Sequence, residues 1–322
     1  RNIRLAVVDP SPDHATWQLR ARFAAASRFG VVNVSQSTGP LEHLFRSNAA
    51  DAALVFEPEF AEHLGRGEPA VVQLLLDASD PNTGTTVQNY ARGVIRAQEA
   101  EWMPAGGVRL DVRARMRFNP TLESVNLFVP GLIALVLTLV SALMTAISLS
   151  REKERGTMEV LLVSPLRPAQ IIAGKVIPYL VLAFANVVTA LLAAWLVFHV
   201  PFRGSLLFLL AASMLFTIVS LSLGVFIAAR TSSQRAAMLG AMLGTMLPST
   251  LLSGMIFPIA SMPGWLQPFT NIVPARWFIV IARGIMLKGV GLHYLWRETL
   301  VLVVMTLVHM TLSIRSVKPR LG

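Results

Sequence analysis

The sequence predicts a membrane-spanning α-helical protein that also carries a mixed α/β domain outside the membrane, and three observations support this. The 322-residue chain is 54% hydrophobic and only 14% charged, too apolar for an ordinary soluble domain. Its apolar residues gather after residue 126 into five segments of near-membrane length. Its charge divides at the same place: residues 1–126 hold 13 Arg, no Lys and 14 acids, whereas residues 127–322 hold 15 basic residues and 4 acids. The net charge of +10 is thus an excess beside the apolar spans, where orientation rules put it, and no basic arm or recognition motif suggests nucleic acid. With no cysteine, the chain has no disulfide and no thiolate metal site.

Residues 1–126 alternate between strand-like and helix-like patterns. Ile3–Val8, Val31–Val34, Ala52–Phe56, Val71–Leu76 and Val108–Phe118 read as strands. Between them Pro12–Phe29, Leu41–Asn48, Glu59–Leu64 and Thr83–Ala100 read as helices, the first with Leu19, Phe23 and Ala26 on one face. Such alternation predicts a small α/β domain with its own core. His14, His43 and His63 are scattered along it, so no metal site is expected, since zinc needs at least three converging ligands.

The five spans run over about 127–149, 176–198, 206–229, 236–257 and 295–314, with Thr299–Ile314 the core of the last. Ten basic residues fall in three places: Arg151, Lys153, Arg155, Arg167 and Lys175; Arg230 and Arg235; and Arg315, Lys318 and Arg320. The positive-inside rule makes these the cytoplasmic faces. Parity then places residues 1–126, the loop His199–Gly204 and the segment after Pro258 outside. An outside domain with no export signal requires a span ahead of Arg1, so six spans are expected in the full protein.

Residues 258–291 are neither clean loop nor clean span. Pro258, Pro263, Pro268 and Pro274 interrupt them, while Trp265, Phe269, Trp277 and Phe278 keep them amphipathic, as interfacial aromatics do. The expectation is a re-entrant pair of short helices on the outer face, packed against the other spans, because irregular backbone at membrane depth must be covered; a proline-rich surface loop is the plainer alternative. Arg283 sits near the end of this stretch.

Two stretches stand out as candidate working parts. Arg151-Glu152-Lys153-Glu154-Arg155-Gly156-Thr157-Met158-Glu159, followed by Leu161 and closing at Pro165, interleaves charges of both signs directly after an apolar span. Acidic residues contribute little to membrane orientation, so a mixed cluster beside an apolar patch suits a protein partner, with Glu152, Glu154 and Glu159 facing its cations and Met158 and Leu161 buried in its cleft. In the fourth span, Gly240 and Gly244 with Ala236, Ala237 and Ala241 make a small-residue face, interleaved with Met238, Met242, Met246 and, further on, Met255. Small faces permit close helix approach and methionines adapt to varied shapes, so this face suits a dimer seam or transport path, or ordinary packing within the chain. The four cleanest spans carry no charged residue between their ends, against an ion-coupled carrier and in favour of lipophilic or amphipathic cargo. Asn186 and His309 are the main polar exceptions, His309 more in keeping with a structural role.

These residues together resemble a permease subunit of the type-2 ABC exporter family, in its bacterial drug-exporter branch. The similarity rests on Arg151, Glu152, Glu154, Gly156, Thr157, Glu159, Leu161, Ser164 and Pro165, followed by Gly174-Lys175. It extends to Arg117-Phe118-Asn119-Pro120, Pro130-Gly131, Ser253-Gly254, Phe257-Pro258, Met262-Pro263, Arg283-Gly284 and Lys288-Gly289, and in the first domain to Asp9, Pro58, Phe60, Gln73, Asp77 and Tyr90. The resemblance implies a non-catalytic subunit that binds no cofactor itself, with ATP and magnesium held by a separate cytoplasmic ATPase docked on 151–165. Consistently, Gly174-Lys175 lacks the flanking residues of a phosphate-binding loop. It further implies a second permease copy or a paralogue, an inner-membrane location, a helix over Thr157–Val163 as the coupling element, and a periplasmic adaptor as a further partner. A membrane-anchored sensor, with an outer ligand-binding domain and an inner loop that recruits a signalling protein, is the alternative; five or six spans exceed what anchoring needs.

Overall fold

A computed structural model describes residues 3–102, 110–156 and 168–316, which divide into two compact units, Arg1–Asn126 and Leu127–Gly322. In the first unit the strands are β1 (Ile3–Val8), β2 (Phe29–Ser35), β3 (Ala52–Phe56), β4 (Val71–Asp77) and β5 (Asp111–Arg117). They form one sheet in the order β2-β1-β3-β4-β5, in which β1 pairs in parallel with β2 and β3, β4 runs antiparallel to β3, and β5 is parallel to β4. The connecting helices are α1 (His14–Ala25), α2 (Gly39–Arg46), α3 (Phe60–Arg66) and α4 (Pro81–Trp102).

Both sheet faces are covered, which is why β1 and β3 read as continuous apolar runs rather than alternating ones. Leu5, Val7, Leu54, Leu74 and Leu76 pack with Leu19 and Phe23 of α1, Phe60 of α3 and Ile95 of α4. Ala6, Val8, Ala53 and Leu75 pack on the other side with Leu41 and Phe45 of α2. Helix α1 begins where Asp13 accepts from the Thr16 amide at 2.8 Å while the Thr16 hydroxyl accepts from the Asp13 amide, a reciprocal cap. The second oxygen of Asp13 accepts from the Ala61 amide and so ties the start of α3 to that of α1.

Among the described residues of the second unit, four helices are long and apolar enough to cross a membrane: α5 (Ser124–Glu154), α6 (Pro168–Leu196), α7 (Leu206–Arg230) and α10 (Leu292–Ser316). The expected span over 236–257 is the exception. Its helix, α8 (Gln234–Leu251), has 18 residues, about 27 Å at 1.5 Å per residue, and gives way to irregular backbone at Leu252, with Gly254 in the left-handed region at φ +80°. Helix α10 is longer than the apolar pattern suggested and bends at Leu295, whose φ and ψ of −107° and 15° are not helical. Helix α5 likewise runs past its apolar stretch through Glu154, and Gly156 at φ +73° ends the turn, its amide reaching the Lys153 carbonyl at 3.2 Å.

The segment after Pro258 is built from two 3-10 turns, Ile259–Ser261 and Gln267–Ile272, then helix α9 (Pro274–Arg283) and a π turn over Gly284–Lys288. Only the second arm of the expected helix pair is therefore α-helical, because Pro263 and Pro268 deny the first a regular hydrogen-bond ladder. Helix α9 is central to the core: Phe278 is fully buried and stacked on Phe216 of α7 with ring centroids 4.5 Å apart. Ile279, Ile281 and Ala282 join the same cluster with Val129, Ile133 and Leu137 of α5.

Candidate functional site

The two ends of α5 mark the two ends of the bundle. At its last turn, the turn Thr231–Ser233 connects α7 to α8 and brings the carboxyl end of one helix beside the amino end of the next. Helix ends carry opposite partial charges and unpaired backbone groups, carbonyls at the carboxyl end and amides at the amino end. Lys153 and Glu154 meet these one for one. The Lys153 ammonium donates to the carbonyls of Ala228 at 2.5 Å, Ala229 at 2.9 Å and Thr231 at 3.4 Å. The Glu154 carboxylate accepts from the Gln234 amide at 2.7 Å and from its side-chain amide at 2.5 Å. Ser233 completes the cap of α8 by accepting from Ala236, and Ser150 lies 3.4 Å from the Thr231 hydroxyl.

Of the charged run singled out by the sequence, Glu152 and Lys153 are half-buried, and Glu154 holds the start of α8 from an exposed position. The Arg151 Nε reaches the Gln234 side chain at 3.5 Å, while Arg155 and Gly156 are exposed beyond the last turn. Thr157, Met158, Glu159, Leu161 and Pro165, and with them the expected coupling helix, lie outside the described residues. A feature that sequence reasoning passed over is the complement on the other side: the Thr231-Ser232-Ser233 turn, legible as an N-cap signal before Gln234.

Helix α8 buries a seam of small side chains, Ala237, Ala241, Thr245 and Ser249. Ala237 and Ala241 pack on Ala142, Ala146 and Leu149 of α5 and on Val225 and Ala228 of α7. Gly240 and Gly244 lie beside this seam: a side-chain carbon on Gly240 would come 3.1 Å from an Ile227 methyl, and one on Gly244 would find nothing closer than 3.9 Å. The close approach of helix backbones is elsewhere, at Gly224 of α7, where such a carbon would lie 2.5 Å from the Ala142 carbonyl oxygen of α5. Ser220 and Gly224 form the small-x-x-x-small pair that could have flagged it. Met242 is exposed with Met238, Leu239, Leu243 and Leu247, and Met246 is half-buried.

At the other end, Arg283 donates through Nη2 to the carbonyls of Leu127 at 3.0 Å and Gly254 at 3.3 Å, tying α9 to the start of α5 and to the end of α8. Pro258 is half-buried and Pro263 exposed, and Trp265 (71%), Phe269 and Ile272 stand out from the same segment. The loop before α7 closes on the π turn through the Arg203 amide and the Met286 carbonyl at 3.1 Å. In α10, His309 Nδ1 sits 2.7 Å from the Met305 carbonyl of its own helix, and Ser313 donates to the Ser222 carbonyl of α7 at 2.6 Å. In the first unit His63 pairs with Glu57 at 3.1 Å; that hydrogen bond raises its pKa above the ordinary histidine value. Among the described residues no three His, Asp or Glu side chains converge as a metal site.

The profile of the ABC-2 family transporter proteins matches residues 1–315, nearly the whole chain. The chain belongs to the ABC-2 transporter family. It is 34% identical to "Probable multidrug ABC transporter permease YbhS" of Escherichia coli over 73% of its own length and 64% of that protein's, so it spans just under two thirds of that relative. It is 30% identical to "Probable multidrug ABC transporter permease YbhR" of the same organism, over 95% of its length and 83% of that protein's. A further relative at 26% identity, over 84% of this chain and 73% of its own, is "Inner membrane transport permease YhhJ". Its family and its long apolar helices together make this ABC-2 protein a multi-pass membrane protein.

Proposed function

We propose that this ABC-2 protein is the permease subunit of an exporter that moves lipophilic or amphipathic, drug-like compounds across the bacterial inner membrane, driven by ATP hydrolysis in a docked cytoplasmic ATPase. The match over residues 1–315 carries this reading, because it includes both the apolar helices and the charged run that follows α5. The names of YbhS, YbhR and YhhJ supply multidrug cargo and inner membrane. Exposed apolar faces on α6, with Val181, Leu182, Phe184 and Trp195, and on α8, with Met238 and Met242, are compatible with such cargo.

In this reading α8 is a fifth, short span, residues 1–126 and the 258–291 segment are outside, and 151–165 is the docking segment inside. Arg151, Arg155 and residues 157–165 would meet the ATPase, since Lys153 and Glu154 already bond the α7–α8 turn. Working as a pair, with a second copy or a paralogue, the permeases would be switched between two arrangements by closure of the ATPases, a bias on a bistable interface. The exposed α8 face with Gly244, Met242 and the edge of Met246 is the proposed seam or path, and the outer domain would receive cargo or hand it to a periplasmic adaptor. The test is to purify the full-length protein with its cognate ATPase and measure compound-stimulated hydrolysis in proteoliposomes. Capture of the ATPase together with stimulation by lipophilic cations is the expected result; a permease that captures no ATPase would sink the reading.

A further inference from the structure

We propose that Lys153 and Glu154 are a positioning pair that clamps the α7–α8 turn to the end of α5, so that a displacement imposed on residues 151–156 is delivered directly to α8. The inference rests on the reading of the chain as an ATP-driven permease and adds to it the route by which the stroke travels.

Three observations carry it. First, two adjacent residues of opposite sign each contact the helix end whose partial charge attracts it, lysine on the carbonyls closing α7 and glutamate on the amide opening α8. Exchanging the two charges would place both against like partial charges, so the arrangement has one favourable order. Second, both contacts involve an ionised group, which strengthens a hydrogen bond, more for the half-buried Lys153 than for Glu154, which solvent screens. The glutamate contact is doubled through the Gln234 side chain and the lysine contact is shared among three carbonyls, so the turn cannot shift against α5 without breaking several bonds together.

Third, between this grip and the Arg283 contact at Gly254 beyond its last turn, α8 has no long side chain to hold it. Its buried seam of Ala237, Ala241, Thr245 and Ser249 offers small side chains with nothing long to interlock, and its remaining apolar face is exposed. A helix gripped at its first residue and smooth along its flank moves with the grip. The face carried along bears Met238 and Met242, which the proposed function places at the seam or path.

The experiment uses the full-length protein with its cognate ATPase in proteoliposomes. Lys153→Met and Glu154→Gln should insert and capture the ATPase as the parent does, yet lose transport by about tenfold or more, as expected when charge-assisted contacts are removed. Because the chain has no cysteine, Glu154→Cys with Gln234→Cys can be joined by a short thiol crosslinker, and joining should restore transport. Spin labels on Arg155→Cys and Ser232→Cys in the otherwise parental protein should keep one separation in nucleotide-free and ATP-trapped states. A purely structural role would move neither the crosslink rescue nor the split between capture and transport.

Unchanged transport in both single variants overturns the clamp, as does a label separation that changes with nucleotide. Loss of ATPase capture in Glu154→Gln also overturns it, and returns Glu154 to a direct partner contact. If the parental protein itself captures no ATPase, the permease reading fails and takes the clamp with it; failure with parental capture intact removes the clamp alone.

Discussion

Replacing Gly224 by alanine should weaken the bundle, whereas the same change at Gly244 should not. In isolation a helix gains roughly 0.5–1 kcal/mol when an interior glycine becomes alanine. At Gly224 the added carbon would lie 2.5 Å from the Ala142 carbonyl oxygen, 3.1 Å from its Cα and 2.9 Å from Thr145 Cβ. Two of these three atoms belong to backbone that cannot rotate away, so α5 and α7 must separate by close to an ångström. Overpacking of this kind costs about 1–3 kcal/mol, which leaves a net loss of up to about 2.5 kcal/mol. At Gly244 the nearest atom is an Ile227 methyl at 3.9 Å, an ordinary contact, so the helix-propensity gain survives. Gly240 falls between them, its 3.1 Å neighbour being a methyl on a side chain that can yield. The assay is heat challenge of detergent-solubilised full-length protein, then size-exclusion chromatography, comparing the temperatures at which the monodisperse peak is lost. The expected order is Gly244→Ala at or above the parent and Gly224→Ala several degrees below. A Gly224→Ala protein as heat-resistant as the parent would show that the two helices are not in backbone contact there.

The same contacts set further outcomes. Phe278→Ala removes a fully buried ring stacked on Phe216 and should cost roughly 3–5 kcal/mol, read as lost monodisperse protein, while Trp265→Ala, at an exposed position, should leave the peak intact. Glu159→Lys should reduce capture of the ATPase by placing a cation where the docking segment is proposed to carry an anion; undiminished capture would remove Glu159 from that contact. Cysteines at Ser79 and Ser205 should be labelled by an impermeant reagent in intact cells and one at Ser232 should not; labelling at 232 would invert the proposed orientation. His63 should titrate above about 6.5 by NMR and fall back in Glu57→Gln. Since its folded pKa is the higher one, the pair's contribution to stability is complete below the unfolded pKa and fades as pH rises through the folded value, which stability measurements on the two proteins across that window would check.

Much of the first unit was legible because its physics is local. Ala52–Phe56 reads as a strand from its own residues, and Pro12-Asp13 announces the start of α1, so strand and helix positions agree to within a few residues. Sheet order was not legible: nothing in β4 says that it runs antiparallel to β3, since the pairing depends on how the chain returns through α3. In the second unit apolarity found the spans but misjudged their ends. The last span was placed at 295–314 with Thr299 opening its apolar core, because Trp296, Arg297 and Glu298 are polar or interfacial, yet helix α10 begins at Leu292 and bends at Leu295. The fourth span looked longer than it is because Leu252, Met255, Ile256 and Phe257 continue the apolar run past Leu251, where the helix ends just before Ser253-Gly254.

The charged run shows why a sign pattern underdetermines a role. Read as a sequence, Lys153 and Glu154 are two more members of an alternating cluster, and any partner with complementary charge would satisfy them. The structure supplies partners that carry no formal charge at all, the ends of two helices, and these are invisible to a count of Lys, Arg, Asp and Glu. The same kind of contact recurs at the far end of α5, where the Arg283 guanidinium donates to the Leu127 and Gly254 carbonyls. Between the two lies the backbone contact at Gly224. Helix α5 is therefore held at three heights by interactions that tolerate little sliding, a cation on carbonyls at each end and glycine against backbone in the middle. Its neighbour α8 is held at its start by Lys153 and Glu154 and just past its last turn by Arg283 at Gly254, with only small side chains packed between. When residues 151–156 are pushed, the part of this bundle with the freedom to respond is α8, and the face it would carry with it is the apolar, methionine-bearing one.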